Sequence, residues 1–379
     1  MSTTADYKLF TPLELGQGLV LKNRIVFAPM TRARTDPVTR VPSDMNALYY
    51  EQRAGAGLII TEAASVSEQG HGWYGAPALY NEAQLAGWKK VVDRVHAKGG
   101  KIFLQMWHIG RQGHSSHNAK NDLVSASDVR LETGHAKNNR GEYVPYETPR
   151  PLRTDEIPGI AKDFRRSAEL AKRAGFDGVE LHSANGYLFD QFFQSVTNKR
   201  TDMYGGTFEN RVRILFVVLD AIKKVFPSDR IAVRLAPNGA FAEMGCEDNA
   251  EFFTYLFEKL SDWGLVYLGI LDGVGFGCHT KCRLLTAFDA KKHFKGTVLA
   301  NNSYARDTAE GVIRSGAADF VSFGRIYISN PDLAERFKND WPLAPEPPYE
   351  HYWDPAKGAE GYVDYPPYTP SADKVNVQN

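Results

Sequence analysis

The stretch FDGVELHSANGY, Phe176–Tyr187, decides how this chain is read. Its first half alternates and then turns apolar, as a strand buried on both faces does. From His182 onward it is polar, so three chemically different side chains stand where a strand ends. His182 and Asn185 can donate hydrogen bonds, and Tyr187 carries a phenol able to give up a proton. Two donors and a weak acid on one loop suit a site that polarises a carbonyl and protonates the carbon beside it. The same six residues also suit a polar loop that only caps a helix and satisfies backbone groups.

Working outward, the same kind of apolar run recurs: Ile25–Met30, Leu58–Ala63, Lys101–Met106, Gly178–His182, Arg230–Leu235, Leu265–Leu271, Gly296–Asn301 and Phe320–Gly324. Between the runs lie helical patterns such as Ala83–Gly99, Glu156–Gly175, Glu209–Phe226, Asn249–Gly264 and Ala305–Gly316, ending at Gly or turn residues. Strand and helix alternate about eight times, the number that closes a parallel (β/α)8 TIM barrel. A doubly wound open sheet is the runner-up, but IVFAPMTRAR has no GxGxxG after the first strand. DGVGFG, Asp272–Gly277, lacks the third Gly and a following helix and reads as a loop. Two regions break the repeat. Ala126–Pro151 reads as a long excursion after the third strand. The segment from Trp341, rich in Pro, Tyr and acids, reads as an irregular tail wrapped on the barrel. The expectation is a single domain over Met1–Asn379, with the barrel over about Lys8–Asp340.

Composition narrows the class. The 379 residues carry 45 basic and 45 acidic side chains, formal charge zero, and 43% hydrophobic content. Balanced charge without a basic block argues against nucleic acid or an anionic membrane as the main partner. Cys246, Cys278 and Cys282 are too few and unevenly placed for a disulfide framework, and Cys278 and Cys282 lack the His support of a metal site. No metal is expected. MSTTADYKLF shows no signal-peptide pattern, no apolar run approaches a membrane span, and the final VQN is no targeting address. A soluble cytoplasmic protein, monomer or homodimer, is expected.

In a barrel of this kind the site lies at the C-terminal strand ends. The residues there are Pro29, Met30 and Thr31, then Glu62 and Ala63, then Gln105, Trp107 and His108. His182, Asn185 and Tyr187 follow, with Arg234, Asn302, Ser303, Gly324 and Arg325. Amides, a guanidinium and small residues suit a planar polar heterocycle. The groups near Ser303, Gly324 and Arg325 follow strands seven and eight, where this fold usually binds phosphate.

With those residues in view, the chain strongly resembles the old yellow enzyme family of flavin-dependent ene-reductases. The resemblance is carried by Leu21–Arg32, Ala56–Ala63, Phe103–Arg111, Phe176–Phe193, Thr197–Arg213, Val321–Leu333 and GAEGYVDYP, Gly358–Pro366. Thr31 within APMTR, together with the GAEGYVDYP tail, is similar to the branch of oxophytodienoate and nitrate-ester reductases. The resemblance implies FMN as cofactor and NADPH as reductant. It places Pro29, Met30, Thr31, Ala63, Gln105 and Arg234 around the ring and Ser303, Gly324 and Arg325 at the phosphate. It implies that His182 and Asn185 bind the oxygen of an enone, quinone, nitroalkene or other nitro compound, with Trp107 lining the pocket. Flavin N5 would deliver hydride and Tyr187 the proton, in a two-step exchange. Three segments depart from the family pattern. Asn302 stands where Gly is common, LGILDGVGFGCHTK after strand six does not match, and Tyr352 and Trp353 lie farther from GAEGY than the family's pocket Tyr. Some relatives append an iron–sulfur cluster and a dinucleotide domain; the three scattered cysteines predict neither here.

Two other classes compete. A metal-free barrel lyase or isomerase would bind a phosphorylated substrate at the same loops, but it calls for a strand-end Lys that the sequence does not offer. A flavin-binding protein without turnover would be yellow and would not pass electrons to an enone.

Overall fold

The computed structural model describes residues 6–273 and 277–370. The N-terminal MSTTA, the Val274–Phe276 part of the DGVGFG loop and the final VQN lie outside these residues. Eight strands form a closed parallel ring: β1 Ile25–Phe27, β2 Leu58–Ile60, β3 Ile102–Trp107, β4 Gly178–His182, β5 Ile231–Leu235, β6 Tyr267–Leu271, β7 Val298–Asn301 and β8 Phe320–Phe323. Neighbours pair in chain order, β8 pairs with β1, and the ring shuts where β4 pairs with β3, Gly178 opposite Phe103 and Glu180 opposite Gln105. The expected barrel is therefore present, and every expected run supplies one strand.

The alternation of side chains explains why the runs are apolar throughout. One set faces inward and packs with itself: Val26, Leu58, Ile60, Phe103, Ala232, Tyr267, Leu299 and Phe320. The other set, including Ile59, Leu104, Val179, Leu181, Val233 and Ile270, packs against the surrounding helices. Both faces of each strand are buried, as in any sheet covered on two sides. An antiparallel hairpin, Leu13–Gly16 with Leu19–Leu21, joins the inner cluster through Leu15, Leu19 and Leu21 and plugs one end of the ring.

The helices around the barrel are α1 Asp44–Gln52, α2 Glu82–Ala97, α3 Ile157–Ala174, α4 Phe208–Lys223, α5 Asn249–Ser261, α6 Ala287–His293, α7 Arg306–Arg314 and α8 Leu333–Lys338, and two further short ones, Leu188–Phe193 and Arg325–Ser329, follow β4 and β8 directly. Side chains start several of them: Asn81 caps α2 and Thr207 caps α4, each accepting a backbone N–H from the first turn. Gly175, at φ 95°, ends α3 in the left-handed conformation that glycine adopts without penalty. No helix among the described residues is long and apolar enough to cross a membrane.

Several boundaries differ from expectation. The first strand stops at Phe27, three residues short of Met30, because Pro29 has no N–H to continue the ladder. The second breaks after Ile60 and resumes over Ala64–Ser65, beside the end of β3. The excursion after β3 contains a small hairpin, Ala136–Lys137 with Tyr143–Val144, and returns by pairing Arg150–Pro151 with Val124–Ser125.

The tail from Trp341 is irregular apart from single turns at Tyr349–His351 and Pro355–Lys357, and it is firmly tied down. Arg32, fully buried, donates to the carbonyls of His351, Tyr352 and Gly361 and to the Tyr49 hydroxyl, at 2.7–3.2 Å. Tyr362 stacks on Tyr49 with ring centroids 4.1 Å apart. Replacing Arg32 by Met should strand the Tyr352 and Gly361 carbonyls, since only that of His351 keeps a donor in Arg34, and cost on the order of 3 kcal/mol. The checks are a lowered Tm and faster proteolysis of the tail; wild-type values in both would show that the clamp is not needed.

Candidate functional site

The alternation that builds the core also aims polar side chains into the top of the barrel. On β3 the inward positions are Phe103, Gln105 and Trp107; on β4 they are Glu180 and His182; on β5, Ala232 and Arg234. The lower members are apolar and fill the ring. The upper ones are polar and nearly fully buried: His182 is 7% exposed, Arg234 3% and Gln105 2%. Gln105 Nε2 donates to Glu180 Oε1 at 2.7 Å, and the Tyr267 hydroxyl donates to Glu180 Oε2 at 2.7 Å. Arg234 Nη2 donates to the Asn301 side-chain oxygen, and Asn301 donates on to the Ser322 carbonyl at 2.8 Å.

The loop after β4 turns sharply. Asn185 at φ 58° and Gly186 at φ 72° are both left-handed, a conformation that Asn and Gly tolerate best. Buried side chains hold this turn. Gly186 N–H donates to Asp190 at 2.8 Å, while Gln191 and Gln112 donate to the carbonyls of Gly186 and Asn185 at 2.7 and 2.8 Å. Tyr187 is thereby placed edge-on to two rings, 4.8 Å from His182 and 5.2 Å from Trp107, centroid to centroid.

Across the barrel mouth, Asn302 at φ 90° and Ser303 at φ 64° form a second left-handed turn. This accounts for Asn at a position where glycine is common: among other residues Asn adopts this backbone most readily. Its Nδ2 also donates to the Gly273 carbonyl at 3.0 Å, tying the loop after β7 to that after β6. Gly324 packs close to Met30; a Cβ there would fall 2.9 Å from the Met30 sulfur. Arg325 lies 3.3 Å from Glu346 of the tail, which also accepts from the Tyr352 hydroxyl at 2.7 Å. Trp353 packs edge-on against Trp73 and Tyr349, so the Tyr352–Trp353 pair belongs to the tail's contact with the barrel mouth.

One cleft of about 890 Å³, solvent at its mouth included, joins these parts. Among the residues singled out from sequence, Pro29, Met30, His182, Asn185, Arg234, Asn302, Ser303, Gly324 and Arg325 line it. Thr31, Glu62, Ala63, Gln105, Trp107, His108 and Tyr187 do not. Ala63, Trp107 and Tyr187 form an adjoining cluster with Trp73, reached through the His182–Tyr187 contact. Gln105 bonds to Glu180 within the barrel interior, and Thr31 sits half-buried beside Met30. Sequence reasoning missed Asn301, Tyr304 and Glu346 in the lining, and Glu180 and Asp190 behind it. Alternation by two from His182 would have found Glu180. Nothing local marks Glu346, which arrives from the tail.

Burial sets the charge state of these groups. It lowers the His182 imidazole to about 3, with Arg234 pushing the same way, so the ring is neutral near pH 7. Burial holds the Tyr187 phenol well above its usual range, so it keeps its proton. It also raises the Asp190 carboxyl to about 6, against the pull of its Gln194 and Gly186 donors.

Several buried donors here lack partners: His182 Nδ1, Arg234 Nη1 and Trp107 Nε1. Such atoms are costly unless a ligand satisfies them. Gln105, Arg234, the backbone after β1 and the Ser303–Gly324–Arg325 end fit a flat, polar ring system carrying a terminal anion, and FMN has that form. Among the described residues, no group of three or more His, Cys, Asp or Glu side chains is arranged to hold a metal ion.

Comparison with known proteins agrees with this chemistry. The sequence profile of the NADH:flavin oxidoreductase / NADH oxidase family matches residues 8–344. The chain is 38% identical over 373 residues to 12-oxophytodienoate reductase 1 of Oryza sativa subsp. japonica, covering 97% of this chain and 94% of that protein. Its fold is similar to morphinone reductase (TM-score 0.89, 40% identity, 97% of this chain and 98% of the other). It is equally similar to the old yellow enzyme homologue from Zymomonas mobilis (TM-score 0.89, 38% identity, 95% and 99%). Morphinone reductase has also been solved in complex with tetrahydroNAD.

The buried imidazole makes a pH prediction. His182 takes up a proton near pH 6.5 when unfolded but only near 3 when folded. Its contribution to stability is therefore complete above about pH 6.5 and is lost as the pH falls toward 3. Between pH 7 and pH 5 the wild type should lose about 2 kcal/mol more stability than His182→Asn. Denaturant unfolding at both pH values reads this. Equal losses would show that His182 accepts a proton as readily folded as unfolded.

Proposed function

The chain belongs to the NADH:flavin oxidoreductase / NADH oxidase family, that of the old yellow enzymes, and on that footing we propose that it is an FMN-dependent ene-reductase. We read Met1–Asn379 as one FMN-binding barrel domain that uses NADPH to reduce the activated C=C bond of α,β-unsaturated carbonyls or nitroalkenes. Quinones and other nitro compounds are further acceptors in this reading, and the enzyme works in the cytoplasm as a monomer or homodimer. The observation that carries the proposal is the grouping of a neutral His182, with Nδ1 unpartnered, and Asn185 on the cleft wall, with protonated Tyr187 4.8 Å from the His182 ring.

When bound, FMN supplies the hydride chemistry, accepting from the nicotinamide and giving to the substrate's β-carbon. The protein supplies the rest. His182 and Asn185 donate hydrogen bonds to the carbonyl or nitro oxygen, where negative charge develops, and so make the β-carbon electrophilic. A neutral imidazole does this without giving its proton away. Tyr187 delivers a proton to the α-carbon, and its elevated proton affinity lets the phenol recover one from water between turnovers. Pro29, Met30, Thr31 and Ala63 would border the ring, with Gln105 and Arg234 answering its polar groups. Ser303, Gly324 and Arg325 would hold the phosphate, and Trp107 would brace Tyr187 and close one wall of the substrate pocket.

Purified protein should be yellow and should oxidise NADPH when an enone is added; comparison with NADH tests the reductant. A colourless protein that takes up no FMN overturns the proposal. Arg325→Ala should weaken FMN binding roughly 10- to 100-fold, the 1.5–3 kcal/mol of a hydrogen bond to a charged group, with little change in the ring's spectrum. Equal retention in wild type and variant would remove Arg325 from the phosphate site.

Tyr187→Phe separates the two half-reactions. Reduction by NADPH puts no proton on substrate carbon and should proceed at nearly the wild-type rate. Reaction with an enone should slow by roughly 10²–10⁴, as expected when a general acid is lost. A quinone, protonated on oxygen by water, should still react at close to the normal rate. Stopped-flow traces of each half-reaction decide; a matched fall in both would make Tyr187 structural.

A further inference from the structure

Glu180 takes no part in the reaction as proposed, yet it is a fully buried carboxylate directly behind the residues assigned to the cofactor ring. It lies two positions before His182 on β4 and opposite Gln105 on β3. Each of its oxygens is occupied, Oε1 by Gln105 Nε2 and Oε2 by the Tyr267 hydroxyl, both at 2.7 Å. Arg234 Nη1 stands 4.0 Å from Oε2 and has no hydrogen-bond partner of its own.

Two consequences follow from elementary electrostatics. A carboxylate only accepts, so the Gln105 amide must turn its nitrogen toward Glu180, leaving its oxygen for a ligand. A buried guanidinium beside a buried carboxylate forms a pair of zero net charge, whereas Arg234 alone would project a full positive charge into the cleft. Burial raises the proton affinity of Glu180, and Arg234, Tyr267 and Gln105 pull it back. The balance decides how much positive field reaches a cofactor that gains negative charge on reduction.

We propose that Glu180 is a positioning residue that sets the reduction potential of the bound flavin, by locking the Gln105 amide and by offsetting the charge of Arg234. This rests on the FMN reading above. It adds to that reading a group that touches neither cofactor nor substrate.

The test is the midpoint potential of bound FMN in wild type, Glu180→Gln and Glu180→Asp. Glu180→Gln keeps the shape and removes one negative charge beside Arg234, so the potential should move to more positive values. Glu180→Asp keeps the charge and should move it less. A role confined to stability would lower the Tm and leave the potential in place; that result, or a negative shift in Glu180→Gln, overturns the proposal. If Glu180→Gln does not fold or holds no flavin, the redox-difference infrared spectrum of the wild type decides. A carboxylate band that shifts with 13C-labelled glutamate and persists in Glu346→Gln is expected; absence of that band overturns the proposal. A wild type that takes up no FMN overturns the functional reading and this inference together, whereas a yellow, active wild type with an unmoved potential in Glu180→Gln overturns only this one.

Discussion

Closure of the ring between β3 and β4 is the constraint on which the rest depends. The two strands meet where Gly178 leaves room for the Phe103 ring; a Cβ on Gly178 would fall 2.4 Å from that ring and 2.6 Å from the Arg230 carbonyl. With the register set there, alternation by two has no freedom left. Gln105 must face Glu180 and His182 must stand beside Arg234, since these are paired positions across the ladder. The polar groups of the site are thus neighbours because the apolar ones below them fill a ring of fixed size.

The barrel was legible because its strands are buried on both faces and read as apolar runs, with helices of clear period between them. Less legible was anything decided by contacts far along the chain. The plugging hairpin has strands of four and three residues, too short for a pattern. Helix α1 buries Asn46 together with its aromatic rings, which blurs the apolar stripe. Arg32 reads as one more basic residue after a strand, and only folding shows it buried among tail carbonyls some 320 positions away. Of the site, the placement of His182 and Asn185 on the cleft wall, with Tyr187 beside them, was legible from the strand ends. The supporting carboxylates Glu180 and Asp190 were not, since one looks like part of a strand and the other like part of a short helix.

Burial does two opposite jobs in this site. It keeps the His182 imidazole neutral and the Tyr187 phenol protonated near pH 7, the states that their proposed roles as donor and acid require. Both follow from the same cost of placing a charge where water is scarce. A cleft open enough to admit a substrate but lined by deeply set side chains can therefore hold a donor and an acid side by side without either ionising near neutral pH.

The clamp at Arg32 has a consequence for how the molecule matures during synthesis. The guanidinium emerges early, on the loop that also carries Pro29, Met30 and Thr31, but three of its four acceptors, all except the Tyr49 hydroxyl, are the carbonyls of residues 351, 352 and 361. Until a ribosome has translated past Gly361, that charge has only Tyr49 as a partner, and the wall of the cleft contributed by the first loop lacks its brace. The last barrel strand is complete at Phe323, whereas the first loop's wall of the cleft gains its brace only when residues 351–361 pack onto Arg32.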